Sequence, residues 1–279
     1  MTIRSWTAAG LAALVILGTG EDASAQDGDA GWTGSAELSY VLTAGNASAS
    51  TLGLRTTTEY AWPNATLQIA AGGIRTESET TTRTATGTVD DFEIIEQTVT
   101  ELTAESYHLR ARYDRDISGE TYGFGGAGWE RNTFSGFDNR YSAVAGLGRD
   151  WLDTENRRLK TDLGFTYTKQ DDVVEDPTVD DSFAGLRASV DFAHPVSETA
   201  RYSSQLVVDE NLSETSDLRA DWTNSVSADI SDALSLKTTY QVLFDNEPAL
   251  VAVPLDGSQV LTPLDEVDSV FTVAIVVTF

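Results

Sequence analysis

The stretch "WTGSAELSYVLT" (32–43) decides how the rest of the chain is read. Its even positions hold Trp32, Gly34, Ala36, Leu38, Tyr40 and Leu42; its odd positions hold Thr33, Ser35, Glu37, Ser39 and Thr43, with Val41 the exception. Successive side chains of an extended strand point to opposite faces, so the alternation predicts a strand with one apolar and one polar face. The same period recurs along the chain. Leu52, Leu54, Tyr60 and Trp62 oppose Arg55 and Glu59, and Tyr107, Leu109, Ala111 and Tyr113 alternate with His108, Arg110, Arg112 and Asp114. Leu159, Leu163, Phe165 and Tyr167 oppose Lys160 and Asp162; Leu186, Ala188, Val190 and Phe192 oppose Arg187 and Asp191. Leu218, Ala220, Trp222 and Val226 oppose Arg219 and Asp221, and Val267, Phe271, Val273, Ile275, Val277 and Phe279 share one side of the last run. With weaker runs near 66–75, 121–134 and 200–210, the pattern predicts about twelve strands of roughly 9–13 residues. "YGFGGAGW" (122–129) changes phase among its glycines, which predicts a bulge. No segment has a helical period.

Alternation alone does not say whether the apolar face points into a soluble sandwich or out into lipid. Strand length favours lipid: soluble strands average about five or six residues, whereas crossing a bilayer at a tilt takes about 9–11. The links alternate in length. Those at 63–65, 115–120, 152–158, 194–199 and 231–233 are short; those at 76–99, 134–139, 169–182, 209–216 and 245–266 are mostly longer, with "AGNA" (44–47) a tight turn. Short periplasmic turns and longer outer loops belong to outer-membrane barrels. Trp32, Trp62, Tyr113, Tyr122, Trp151, Phe192, Tyr202 and Phe279 fall near one end of the strands, as an interfacial aromatic girdle would. The opposite face carries charges of both signs, which suits a polar lumen. The fold class expected is therefore all-β, a transmembrane antiparallel β-barrel of bacterial outer-membrane type, made by residues 26–279 as a single domain.

Residues 1–25 read as a cleaved signal peptide: Arg4, an apolar run at 8–18 and "ASA" at 23–25. The chain has no cysteine, so the fold holds without disulfides, and no other stretch approaches the roughly 18 apolar residues of a membrane helix. A net charge of −26 repels nucleic acid and argues against a DNA- or RNA-binding role. The closing "VFTVAIVVTF" (270–279) is a full strand placed to pair with the first and leave no open edge in lipid. Phe279 then sits at the periplasmic interface as a candidate signal for the outer-membrane assembly machinery.

Trp32, Gly34, Gly45, Asn46 and Ser48 form a Trp-x-Gly strand followed by a Gly-Asn turn, and "AVAGLGRDW" (143–151) forms a central Gly-Leu-Gly strand. With the final Phe279, these resemble the YdiY-like family of salt-induced outer-membrane proteins over about 30–279, with 76–99 and 245–266 as departures. The resemblance implies an outer-membrane barrel and a link to salt stress, and leaves activity open.

Candidates for chemistry are few. The two histidines are His194, expected in a solvated turn, and His108, expected in the lumen beside Arg110 and Arg112 without a paired nucleophile. "QDDVVEDPTVDD" (170–181) groups Asp171, Asp172, Glu175, Asp176, Asp180 and Asp181, but lacks the spacing and turn glycine of a calcium loop. It reads as a solvated acidic loop. Parity places Arg55, Glu59, Arg110, Arg112, Asp114, Lys160, Asp162, Arg187, Asp191, Arg219 and Asp221 in the lumen, where they either interlock or line a narrow pore. No catalytic, cofactor or metal site is expected. The function expected is a narrow passive pore or a structural envelope component linked to salt or osmotic stress, in a monomer. Its partners would be membrane lipid, lipopolysaccharide and the assembly machinery. The alternatives are an adhesion module acting through the acidic loops and a barrel hydrolase using His108.

Overall fold

β-Branched and aromatic residues on one side of each run, with polar residues on the other, give strands that pair through a complete backbone ladder. A computed structural model describes residues 30–43, 47–88, 91–133, 135–154, 157–175, 180–255 and 258–279. The strands are β1 (Gly31–Thr43), β2 (Ala47–Trp62), β3 (Ala65–Thr88), β4 (Asp91–Ser118), β5 (Thr121–Asn132), β6 (Phe137–Thr154) and β7 (Arg157–Asp172). They continue with β8 (Ser182–Pro195), β9 (Ala200–Asn211), β10 (Leu218–Ser231), β11 (Leu234–Asp245), β12 (Leu250–Leu255), β13 (Ser258–Pro263) and β14 (Val267–Thr278). Twelve of them close a barrel, each antiparallel to its neighbours, in the order β1-β14-β11-β10-β9-β8-β7-β6-β5-β4-β3-β2. Closure is made by β1 on β14, with Glu37 opposite Val276 and Leu38 opposite Ile275. Beyond that pairing, the Gly34 and Phe279 backbones exchange two hydrogen bonds of 2.8 and 2.9 Å. The Phe279 ring lies over Gly34, 2.6 Å from where a Cβ would stand. The proposed signal peptide and the Gly-Asn turn lie outside the described residues.

Three expectations are corrected. The segment 76–99 is no loop: β3 and β4 stay paired from Thr76–Ala104 out to Thr88–Asp91, and beyond Thr81–Thr98, where β2 has ended, they rise past the barrel wall as a two-stranded ribbon. Its threonines and isoleucines are good strand formers, so the ladder continues after both outer neighbours have ended. The segment 245–266 likewise holds a small hairpin, β12 on β13. The glycine run of β5 contains no bulge; register shifts occur only at its ends, at 116/118 and 130/132. The apparent change of phase has a different cause, since Tyr122 and Phe124 are large residues on the inner face and Trp129 is one on the outer.

Burial is inverted relative to a soluble domain. Leu38, Leu54, Leu163, Phe165, Phe271 and Ile275 are exposed on the outer face, Phe165 to 70%. The buried residues include Asp162, Thr166, Thr168, Ser189 and Ser225, which share the inner face with Tyr122, Phe124, Ala274 and Val276. An apolar belt of this extent is the outward band of a membrane-spanning barrel. Near the end that carries the termini, Trp32, Tyr60, Trp62 and Tyr113 join edge to face, with centroids 4.9, 4.5 and 6.2 Å apart in turn. Tyr122 does not belong to this girdle. It is 2% exposed inside the barrel.

Candidate functional site: the charged interior

The alternation of each strand carries one set of side chains into the barrel, and the register carries that set consistently from strand to strand. Arg112 on β4 faces Gly126, which faces Val144, which faces Thr166 on β7; Asp162, two pairs along, faces Ser189 on β8. Side chains on the concave side of a closed sheet converge, so residues on strands that are not neighbours can touch. The Arg112 Nη1 reaches Asp162 Oδ2 at 2.7 Å across β5 and β6, while its Nε holds Asp114 at 2.7 Å. Asp162 also accepts from Tyr122 Oη at 2.5 Å and from Ser189 Oγ at 2.9 Å, and its side chain is only 3% exposed. Three donors from three strands thereby share one dry carboxylate on a fourth. A carboxylate in this setting is stable because every charge-assisted bond it lost from water is replaced.

Glycines make the space. The Tyr122 ring lies over Gly148 where any Cβ would clash with it, and the Phe124 ring comes within 3.0 Å of a Cβ placed on Gly164. Arg112 stacks over Phe124 at 4.3 Å and the Lys160 Nζ sits 4.9 Å from the Tyr122 ring centroid. Both contacts place a cation on an aromatic face.

The remaining candidates are bridged around the wall. Arg187 forms a two-point pair with Asp209 at 2.7 and 2.9 Å, and Arg219 contacts Asp217 at 3.0 Å and Asp245 at 3.3 Å. Arg110 pairs with Glu130, Lys160 with Asp150 at 3.2 Å, and Lys237 with Glu37 at 2.7 Å over the narrow Ala274. Asp191 accepts from Gln205 at 2.6 Å, Asp221 from Gln241 at 2.9 Å, and Glu59 from Gln68 at 3.4 Å. Arg55 stands opposite Glu37 in the ladder. Exposure is uneven: Arg110 keeps 53% of its side chain open to solvent although it points inward.

Several members were not foreseen. Glu130 and Asp209 lie in the expected but weaker runs at 121–134 and 200–210, where the pattern assigns them no face, and Arg140 lies on β6 just before the clear run. His194 is corrected too: it lies within β8 opposite Tyr202, with its Nδ1 buried and without a hydrogen-bond partner, rather than in a solvated turn. His108 stacks on Gly72, whose missing side chain leaves it room. Among the described residues no group of three or more His, Cys, Asp or Glu is placed to hold a metal ion. Asp176 lies outside them.

A closed antiparallel barrel with an apolar exterior and an ion-paired interior defines the class of the protein. The chain belongs to the family described as "Protein of unknown function, DUF481", whose model matches residues 36–279. No curated protein matches it. Solved structures similar to it include the NanC porin, at 10% identity over 87% of this chain and 98% of that one with a TM-score of 0.45. The KdgM porin is similar at 7% identity over 88% and 99%, with a TM-score of 0.41. An anion-selective porin from Comamonas acidovorans is similar at 9% identity over 90% and 100%, with a TM-score of 0.39.

Proposed function

We propose that the protein resides in the bacterial outer membrane and acts there as a narrow passive pore for small polar solutes, in step with salt or osmotic stress. The observation that carries this reading is the half-solvated state of Arg110 inside a wall whose exterior is apolar. Charged side chains reached by water within a barrel give a hydrated path, and ion pairs along it stabilise a passing ion or polar group without binding it tightly. Crowding of Tyr122, Phe124 and Asp162 on the β4–β8 wall leaves only part of the cross-section for that path. Planar-bilayer recording of the purified chain tests it. Discrete, ohmic steps that depend on salt are expected; a silent membrane leaves only a structural role.

In this reading Phe279, which follows β14, is the residue a periplasmic assembly factor meets, and Phe279→Ser is expected to lower the assembled fraction in cells. The reading makes the protein a monomer surrounded by lipid and lipopolysaccharide, and not an enzyme. A hydrolase role for His108 would require that His108→Ala abolish an esterase or peptidase activity. One observation favours a second reading: the outer part of the β3–β4 ribbon, which stands clear of the wall with exposed Ile94 and Ile95. It would serve attachment at the cell surface. Removing 82–97 would then cost binding of cells or phage, while the barrel still folds.

A further inference from the structure

The crowded wall of the barrel and the wall facing it differ in how their charges are neutralised. Following backbone partners round the sheet, Asp268 on β14 faces Leu243, which faces Asp221 on β10. The same line runs on through Val207 and Ser189 to the buried Asp162. Residues opposite each other in a ladder share a face, so Asp221 and Asp268 point inward with Asp162. β10 and β14 each lie five strands from β5, which carries Tyr122 and Phe124, so these two aspartates line the side left free. Both stand at the mouth away from the chain termini, Asp221 as the fourth residue of β10 and Asp268 as the second of β14.

Asp162 is neutralised by the Arg112 guanidinium at 2.7 Å; its two counterparts are held by neutral groups. Asp221 accepts from the Gln241 amide at 2.9 Å and from the Thr223 hydroxyl at 3.1 Å, and Asp268 from the Ser135 hydroxyl at 3.0 Å. Glu59 on β2 accepts from the Gln68 amide at 3.4 Å, and Asp229, further along β10, is exposed. Amides and hydroxyls satisfy lone pairs but leave the charge in place. The bases of this wall do not make up the difference. Lys237 is taken by Glu37, and Arg219 is shared by Asp217 and Asp245. Among the described residues, Arg55 on β2 and Arg201 at the start of β9 form no ion pair; set against four carboxylates without a basic partner, they leave the wall negative.

We propose that the passage selects small cations over anions, with Asp221 and Asp268 as the carboxylates that set the preference. The proposal rests on the pore reading and narrows it to one class of solute. One strand separates the two carboxylates, which puts their backbones about 10 Å apart. That is close to one Debye length at physiological salt, so their fields overlap across the mouth. Carboxylates lining a passage with low-dielectric walls raise the local concentration of cations and hold anions off.

Planar-bilayer recording of the purified chain under a tenfold potassium chloride gradient reads the preference as a reversal potential. Wild type should favour potassium over chloride by at least about threefold, and by more at lower ionic strength. Asp221→Asn/Asp268→Asn, which keeps the side-chain shapes and removes both charges, should bring the ratio close to one while the conductance steps persist. Glu93→Gln/Glu96→Gln, which removes as many acidic groups from the projecting ribbon, should keep the wild-type ratio. If the interior double variant does not assemble, judged by heat-modifiable gel mobility, Glu59→Gln alone should lower the ratio in part. Wild-type steps that reverse at zero or on the chloride side overturn the proposal and leave the pore standing. An undiminished ratio in the interior variants, or a ratio lost in the ribbon variant, overturns it in the same way. Silent wild-type bilayers overturn the pore reading and the cation preference together.

Discussion

Two arginine–carboxylate pairs of nearly equal length lie in very different surroundings. Arg83–Glu96, at 2.6 Å, joins the strands of the projecting ribbon with 56% and 54% of the side chains exposed. Arg112–Asp162, at 2.7 Å, spans two intervening strands with the aspartate 3% exposed. Distance is the same; consequence is not. The ribbon pair exchanges one hydrated state for another and is screened by salt, so its net worth is small. The Asp162 end of the interior pair is dry, so loss of Arg112 strands a buried carboxylate held only by Tyr122 and Ser189. The difference teaches that this barrel is held from within by polar contacts and from without by lipid, and that the ribbon contributes to neither.

The largest expected effect comes from Asp162→Ala, which unpairs the buried Tyr122 and Ser189 hydroxyls, leaves Arg112 with Asp114 alone, and should cost about 3–5 kcal/mol. Urea unfolding of the barrel in vesicles, followed by tryptophan fluorescence, measures it. Next, Phe165→Arg, placed at an outer site 70% exposed, should cost about 2–4 kcal/mol in vesicles if that site lies near the bilayer midplane. A neutral result there would break the claim that the exterior meets hydrocarbon. Tyr122→Phe deletes one bond to the buried carboxylate and keeps the ring over Gly148, for a loss of about 1.5–3 kcal/mol. Smallest is Arg83→Ala on the ribbon, about 0–1 kcal/mol, vanishing in 1 M salt. If Arg83→Ala proved as costly as Asp162→Ala, the contrast between the two regions would fail.

The barrel was legible because its signal is local. Alternation from Trp32 to Leu42 already states which residues face which way, and the ladder merely carries that choice round the sheet. Inner positions such as Arg112, Asp162 and Arg187 followed from parity alone. What parity does not state is who touches whom across the interior. The Arg112–Asp162 bond joins residues 50 apart in sequence, and the Ser135–Asp268 bond residues 133 apart; both exist only once the circle closes. Tyr122 misled because an aromatic near a strand end suits a girdle, and only the facing Gly148 shows that its ring turns inward. The ribbon was read as a loop because Thr, Glu and Arg alternate there without an apolar face, and a two-stranded ladder in water needs none to show its register.

One measurement bears on all of this. The polypeptide of residues 26–279, unfolded in urea and diluted into phospholipid vesicles, should float with them, show a β-sheet circular dichroism spectrum, and migrate anomalously on gels until boiled. The same dilution into detergent-free buffer should leave aggregated chain. A monomer that stays folded and dissolved in plain buffer would contradict the account.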